Sequence, residues 1–311
     1  MTDRLHPLVT IVGPTGSGKS HLALTLAQQF DGEIINCDSI QLFRHFNIGA
    51  AKLTSKQQLG IPHHLIDSFN PDVLMTAGEY ARLARVLLKH ITDRGKLPIV
   101  CGGTGFYIKA LLEGLSPSPE RDEHLRARLA SREAKRPGSL HRLLQRLDAA
   151  ASDRIQPADV NKTIRALEIR IRSGKTGSEQ MAGKQDRLEG YGILKIGLHP
   201  PRKLLCEAIN ARCTKMFQDG LVEEVKEILT MGYSPAVKPF ESIGYRETLR
   251  YLNGEINLET AIEETQIHTR QYAKRQMTWF RRDKEIVWLQ EFGSSTEASF
   301  KAKQLAASFL S

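Results

Sequence analysis

Gly13-Pro14-Thr15-Gly16-Ser17-Gly18-Lys19-Ser20 is the stretch whose reading decides the fold. Leu8–Val12 (LVTIV) precedes it as a short buried strand, and Ser20–Phe30 follows it with Leu22, Leu26 and Phe30 at helical spacing. Strand, glycine-rich loop and helix, in that order, are the context of a phosphate-binding loop of the form G-x-x-x-x-G-K-[ST]. The glycines let backbone N–H groups converge on phosphate oxygens, and the helix N-terminus adds positive potential. Lys19 adds a full charge, and the Ser20 hydroxyl can ligate Mg²⁺. The competing reading is a structural glycine-rich turn. The motif does not name its ligand: ATP, GTP or a bare pyrophosphate ester would each satisfy it.

Working outward, Glu33–Cys37 is a second strand candidate that ends at Asp38, and Leu97–Cys101 is a third that ends in Gly102-Gly103-Thr104-Gly105. Between them Thr76-x-x-Glu79 is a capping box, after which Ala77, Tyr80, Ala81, Ala84, Leu87, Leu88 and Ile91 keep one apolar face until Gly95. Strands alternating with helices predict a parallel sheet covered on both faces. The pattern changes at Ser116-Pro117-Ser118-Pro119, where two prolines read as a linker. From there the spacing predicts helices over roughly 120–132, 139–149 and 159–173, no strand, and a polar closing stretch over 173–189. Tyr191–Leu198 is again strand-like, Pro200-Pro201 opens a helix, a long helix is expected from about Leu258 to Arg282, and Glu285–Gln290 is a last strand candidate. The fold class is therefore α/β: a P-loop NTPase-like parallel sheet core over residues 1–118 and 190–311, the second part mostly helical, with an inserted all-helical domain over 119–189.

Composition bounds the function. A length of 311 residues suits about two domains, and 41% hydrophobic with 25% charged residues gives a packed core. No apolar run approaches a membrane span, no secretory leader opens the chain, and the four cysteines (Cys37, Cys101, Cys206, Cys213) form no CxxC pair, so a cytoplasmic location without zinc ribbon or disulfide framework is expected. The formal net charge of +9 is concentrated: residues 119–187 carry 16 Lys/Arg against 10 Asp/Glu, and residues 268–284 carry 6 against 1. Solvated helix faces would account for either stretch alone. Two of them beside a phosphate loop favour a nucleic-acid partner.

Asp38, at the expected end of the second strand, lies where ligand crevices open in such sheets, and a carboxylate there serves as a general base, a metal ligand or a helix N-cap. The glycines of Gly102-Gly103-Thr104-Gly105 either admit a substrate to the backbone, with Thr104 donating or accepting, or simply make a tight strand-to-helix turn. His63-His64 has no third ligand at metal spacing and reads as structural or substrate-adjacent.

These motifs, taken in order, resemble the bacterial tRNA dimethylallyltransferases. The resemblance runs through GPTGSGKS at 13–20, CDSIQLF at 37–43, IGAAK at 48–52, PHHLID at 62–67, GGTGFY at 102–107, RALEI at 165–169, GLHPPR at 197–202, GLVEEV at 220–225, SIGYRE at 242–247 and TRQYAKRQMTWFR at 269–281. It implies transfer of a dimethylallyl group from dimethylallyl diphosphate to the exocyclic N6 of tRNA adenine 37, releasing diphosphate. By resemblance residues 13–20 cradle that diphosphate with Arg212 nearby and Mg²⁺ on Ser20, and Asp38 is the base. Thr104 contacts the target nucleotide, and Ser39, Ile40 and Gln41 read the adenine region. The basic insertion, through residues such as Arg126, Lys162, Thr163, Ile164, Arg165 and Ala166, grips the anticodon stem-loop. A monomer is expected. The chain departs from the family pattern at Phe43 for tyrosine, Ala50 for threonine, the 161–165 segment, and Glu247 for glutamine, and it lacks the zinc finger of eukaryotic relatives. Two other readings share the phosphate loop: a P-loop kinase of a small metabolite or nucleoside, and a non-catalytic nucleotide-gated RNA-binding protein.

Overall fold

The apolar run ahead of the phosphate loop forms β1 (His6–Val12), the hub of a parallel sheet in a computed structural model that describes residues 5–116, 118–177, 179 and 186–311. With β2 (Gly32–Asn36), β3 (His63–His64), β4 (Leu97–Cys101), β5 (Tyr191–Leu198) and β6 (Val287–Leu289) it makes six strands in the order β3-β2-β4-β1-β5-β6. Every neighbouring pair is parallel, and Val9 stands opposite both Ile99 and Leu194. The chain divides into two compact units, one made of residues up to Leu112 with Leu188–Ser311, the other of Glu113–Arg187. Pro117 of the expected linker, residues 178 and 180–185 of the polar closing stretch, and residues 1–4 lie outside the described residues.

In the first unit, α1 (Lys19–Gln29) lays Leu22, Ala23 and Leu26 on Val9, Ile11, Ile99 and Ile196 of the sheet. Further along come α2 (Ala77–Asp93), capped by Thr76 and Glu79 as the sequence requires, and α3 (Gly105–Leu112). Tyr80 and Tyr107 from these two helices stack with ring centroids 4.3 Å apart. The polar middle of the chain supplies α4 (Glu123–Lys135), α5 (Ser139–Leu147), α6 (Ala149–Arg154) and α7 (Val160–Ser173), all of the second unit. The first unit then resumes with α8 (Arg202–Gln218), α9 (Leu221–Thr230), α10 (Tyr245–Leu252), α11 (Leu258–Phe280) and α12 (Thr296–Leu310). Ala298, Ala302 and Ala306 repeat every four residues, and this small-residue stripe lets α12 pack closely beside α1. Ile209 and Cys213 of α8 pack on Ala273 of α11.

The second unit has its own core, built from Leu129, Leu140, Leu144, Ile164 and Leu167. The helix expected over 139–149 stops at Leu147, because Asp148 leaves helical geometry and its carboxylate accepts the Ala151 N–H at 3.0 Å to start α6. Strand β3 has no sequence signal, since two residues cannot show alternation.

Candidate active site

The phosphate loop is shaped by three glycines at positive φ: Gly13 (143°), Gly16 (81°) and Gly18 (87°). At Gly13 a Cβ would also stand 2.8 Å from the Leu198 carbonyl, so the loop sits tight against the end of β5. The Pro14 carbonyl accepts the Ser17 hydroxyl at 2.8 Å and Lys19 Nζ at 2.8 Å, which folds the loop over itself. Among the described residues the N–H groups of Gly16, Gly18, Lys19 and Ser20 have no acceptor, an arrangement ready for an anion. Loss of hydration pushes the Lys19 ammonium down to about 8, although Asp38 nearby opposes that shift. Ser20 is exposed at the first turn of α1.

Arg212, from α8, donates to the Thr15 hydroxyl at 2.6 Å. Its Nε is buried without any hydrogen-bond partner, and burial lowers its pKa. A guanidinium held dry with an unused donor fits a negatively charged ligand at this point.

Asp38 lies two residues past the end of β2, and its Oδ1 accepts the N–H groups of Ile40 (2.9 Å) and Gln41 (3.3 Å). It thus caps a turn, not the helix that the sequence allowed as an alternative, and among the described residues Oδ2 has no hydrogen-bond partner. Thr104 Oγ1 accepts the Ser39 N–H at 3.2 Å. Burial, with the charge of Asp38 adding to it, pushes Tyr272 up to about 12, so it stays a phenol.

Some of these groups meet in one cavity of about 490 Å³, while Lys19, Ser20 and Thr104 are not among its lining residues. Thr15 of the loop, Asp38, Ser39, Ile40, Arg212 and Tyr272 all line it. Gln41 does not: its amide donates to the carbonyls of Ala50 (3.0 Å) and Ala51 (3.4 Å), holding the loop that forms one wall. Phe43 and Ala50, two of the departures from the family pattern, both face the cavity.

Known proteins resemble the chain over nearly its whole length. Residues 41–283 match the family model described as IPP transferase. The chain is 53% identical over 98% of its length to the tRNA dimethylallyltransferase of Solibacter usitatus, 99% of which is covered, and 47% identical to that of Koribacter versatilis over 98% of this chain and 99% of the relative. The chain belongs to the IPP transferase family. Among solved structures, the tRNA isopentenylpyrophosphate transferase of Bacillus halodurans superposes with a TM-score of 0.73 at 33% identity, covering 98% of this chain and 97% of the other. A eukaryotic dimethylallyltransferase crystallised acting on tRNA gives 0.83 at 27% identity, with 98% of this chain and 79% of the other covered. The family fold and the parallel sheet described above are the same architecture.

Several residues of this IPP transferase escape local sequence reading. Gln276 of α11, buried, accepts the Thr15 N–H through Oε1 (2.8 Å) and donates through Nε2 to the Gly103 carbonyl (2.9 Å), so it clasps the phosphate loop to the loop after β4. The glycines after β4 serve this packing: a Cβ on Gly103 would lie 2.1 Å from Gln276 Nε2, and one on Gly102 would lie 2.0 Å from the Cys37 carbonyl oxygen. Buried Glu224 accepts the N–H groups of Asn47 (3.0 Å) and Ile48 (2.8 Å) and the Tyr245 hydroxyl (2.6 Å), which fixes the wall that carries Ala50. The only signals for either residue are their places in QMTW and GLVEEV, visible through resemblance alone. His64 Nε2 lies 2.6 Å from Glu33 Oε2 at the sheet edge, which makes it structural, and no metal-binding group of three His, Cys, Asp or Glu occurs among the described residues.

In the helical unit the 162–166 segment is only partly exposed. Thr163, Ile164 and Ala166 are buried in its core, so their side chains are closed to RNA as the unit stands. Thr163, Ile164 and Leu167 recur at helical spacing on the inward face, and Ala166 and Glu168 beside them are buried too. Arg126 and Arg165 both pair with the fully buried Glu168, at 2.9 and 2.6 Å, and Lys162 pairs with Asp159. Arg126 and Arg165 therefore have structural duties before any RNA is present.

Proposed function

We propose that this enzyme transfers the dimethylallyl group of dimethylallyl diphosphate to the exocyclic N6 of adenine 37 in tRNA. The observation that carries this reading is the shared cavity, which Asp38 with its unpaired carboxylate oxygen, Arg212, and Thr15 of the anion-binding loop all line. The diphosphate lies on the free N–H groups of Gly16, Gly18, Lys19 and Ser20, with Lys19 and Arg212 neutralising its charge. The allylic C–O bond then breaks with its electron pair going to diphosphate. The N6 lone pair forms the new C–N bond, and the N6 proton passes to Asp38 Oδ2. The backbone N–H groups of Ile40 and Gln41 hold the other carboxylate oxygen and so fix the direction of the free one. Ile40, Phe43, Met75, Met216 and Ile243 give the cavity an apolar side suited to a five-carbon chain. In this reading Thr104, whose hydroxyl oxygen accepts the Ser39 N–H, contacts the nucleotide.

Magnesium fits as a cation shared with the substrate. The exposed Ser20 hydroxyl offers one hard oxygen, and the absence of a carboxylate cage among the described residues suits an ion whose other ligands are diphosphate oxygens and water. Bound there, it would add to the neutralisation of the leaving group. The helical unit, with its exposed Arg128, Arg132 and Lys135, would hold the stem phosphates. Incubating the protein with tRNA and dimethylallyl diphosphate, followed by mass analysis of the nucleosides, tests the assignment. An adenosine carrying a dimethylallyl group is expected. ATP turnover with no such nucleoside would support a kinase instead.

A further inference from the structure

The segment between β6 and α12 has no part in the chemistry above, yet it reaches the phosphate loop. Gly293, buried, donates its N–H to the Ser17 carbonyl at 2.9 Å, and its own carbonyl oxygen lies 3.2 Å from His21 Nδ1. A Cβ on Gly293 would stand 2.4 Å from the Gly18 carbonyl oxygen, and one on Gly18 would stand 2.9 Å from the Gly293 nitrogen. Gly293 does not take a positive φ, so its missing side chain serves the close approach of two backbones and not an unusual turn. The segment is held on both sides of this contact. Phe292 packs on the cluster that contains Leu205 and Ile209, and Gly16 of the phosphate loop sits against the same Ile209. The Ser295 hydroxyl accepts the Ala298 N–H at 3.0 Å to start α12, which lies on α1 through its alanine stripe. Helix α1 in turn begins with Lys19 and Ser20.

The contact fixes more than a distance. A trans peptide unit is planar, and its C=O and N–H point in opposite directions. The Ser17 carbonyl and the Gly18 N–H belong to one such unit. With the carbonyl held toward Gly293, the Gly18 N–H is turned the other way, and it is one of the loop donors left without an acceptor among the described residues. Gly18, at a φ of 87°, has no side chain that could fix this plane by packing, so the orientation falls to the hydrogen bond. We propose that Gly293 is a positioning residue for the leaving diphosphate: its N–H holds the Ser17–Gly18 peptide so that the Gly18 N–H faces the substrate. The segment leading into α12 thereby becomes part of the diphosphate site. This inference rests on the reading of residues 13–20 as the diphosphate cradle. Coupling between the two is reciprocal: a ligand that needs the Gly18 N–H in place favours the bonded segment, and the bonded segment favours the ligand.

Inorganic diphosphate and dimethylallyl diphosphate are the probes, used on the full chain. Gly293→Ala keeps the N–H but cannot approach Gly18. Both ligands should then bind about ten- to a hundredfold more weakly, the range of one hydrogen bond to a charged group, while tRNA affinity stays within about twofold. KM for dimethylallyl diphosphate should rise with that loss, and kcat should fall less. In protein carrying isotope-labelled glycine, diphosphate should shift the Gly18 amide resonance strongly in the unsubstituted protein and weakly in the variant, a signature that a packing role would not produce. If Gly293→Ala fails to fold, hydrogen exchange on the unsubstituted protein carries the test. Diphosphate at about a hundred times its dissociation constant should slow exchange at Gly293 by up to about a hundredfold, and at Ala302 of α12 much less. Equal slowing at the two positions, or a Gly18 resonance that ignores diphosphate, would overturn the proposal. So would a variant that melts at lower temperature yet binds diphosphate as the parent does. Diphosphate that binds without regard to Gly293 removes this inference only. Diphosphate that does not bind the unsubstituted protein removes the cradle reading, and this inference with it.

Discussion

Lys19 and Arg212 have spent their hydrogen bonds on a carbonyl and a hydroxyl of the phosphate loop itself, which leaves both positive charges available to a ligand. For Lys19 this has a consequence in pH. Its depressed value means that the loop loses a positive charge as pH rises through about 8. Diphosphate affinity should therefore hold below that pH and fall above it, and binding near pH 9 should draw in a proton as the ligand restores the ammonium. Calorimetry in buffers of different ionisation enthalpy reads that proton directly, and Lys19→Arg should abolish both the uptake and the decline. The unfolded lysine keeps its proton to higher pH, so the same shift makes folding stability rise between about pH 8 and 10.5. Arg212→Ala should weaken dimethylallyl diphosphate binding by about 1.5–3 kcal/mol, the range for a hydrogen bond to a charged group, with little change in RNA affinity. Lys19 and Ser20 were legible in the sequence because the phosphate-loop spacing is local. The orphaned Nε of Arg212 was not, since its burial is set by segments far away in the chain.

At the scale of elements, the site is a set of loops tied to long helices. The Gln276 side chain joins the Thr15 N–H to the Gly103 carbonyl, so α11 sets the distance between the loop that grips phosphate and the loop that carries Thr104. Gln276→Leu leaves both backbone groups buried and unpaired. It should cost about 1–3 kcal/mol in denaturant midpoint analysis and slow transfer more than it weakens binding of either substrate. Gly103→Ala pushes the same amide out of place, so the double variant should lose scarcely more than either single one. Additive losses would show that the two positions act independently. Helix α2 and the β1, β2 and β4 strands could be read from periodicity and a capping box, because each depends on neighbours in sequence. The clasp could not, because it joins residues 261 and 173 positions apart. The glycines after β4 showed the same limit: composition says that a side chain is missing there, and only the packing says that Gln276 and the Cys37 backbone occupy the space.

At the scale of the whole molecule, the proposed function gives the chemistry to the sheet-based unit and the grip on the RNA stem to the helical unit. Glu168 is the helical unit's weak point. It is fully buried, accepts the Asp122 N–H at 2.7 Å and pairs with two arginines. Glu168→Ala should destabilise that unit by about 3–5 kcal/mol through the uncompensated charges it leaves. Measured by proteolysis and RNA binding, the damage should appear there while dimethylallyl diphosphate affinity persists. Removing exposed Arg128 or Lys135 should instead lower RNA affinity and reduce the slope of log K against log salt by about 0.7–0.9 per lost phosphate contact. Charge counting located this unit correctly as basic. It could not say which of its cations were already committed, as Arg126 and Arg165 are to Glu168. The division of labour is tested most directly by single-turnover transfer with Asp38→Asn, a side chain that can still cap Ile40 and Gln41 but cannot take a proton. With saturating hairpin RNA and dimethylallyl diphosphate, the transfer rate should fall by about 10²–10⁴ while the dissociation constants for both substrates stay within about threefold of the parent protein's. A rate equal to the parent's, or a loss accounted for wholly by weaker binding, would contradict the account.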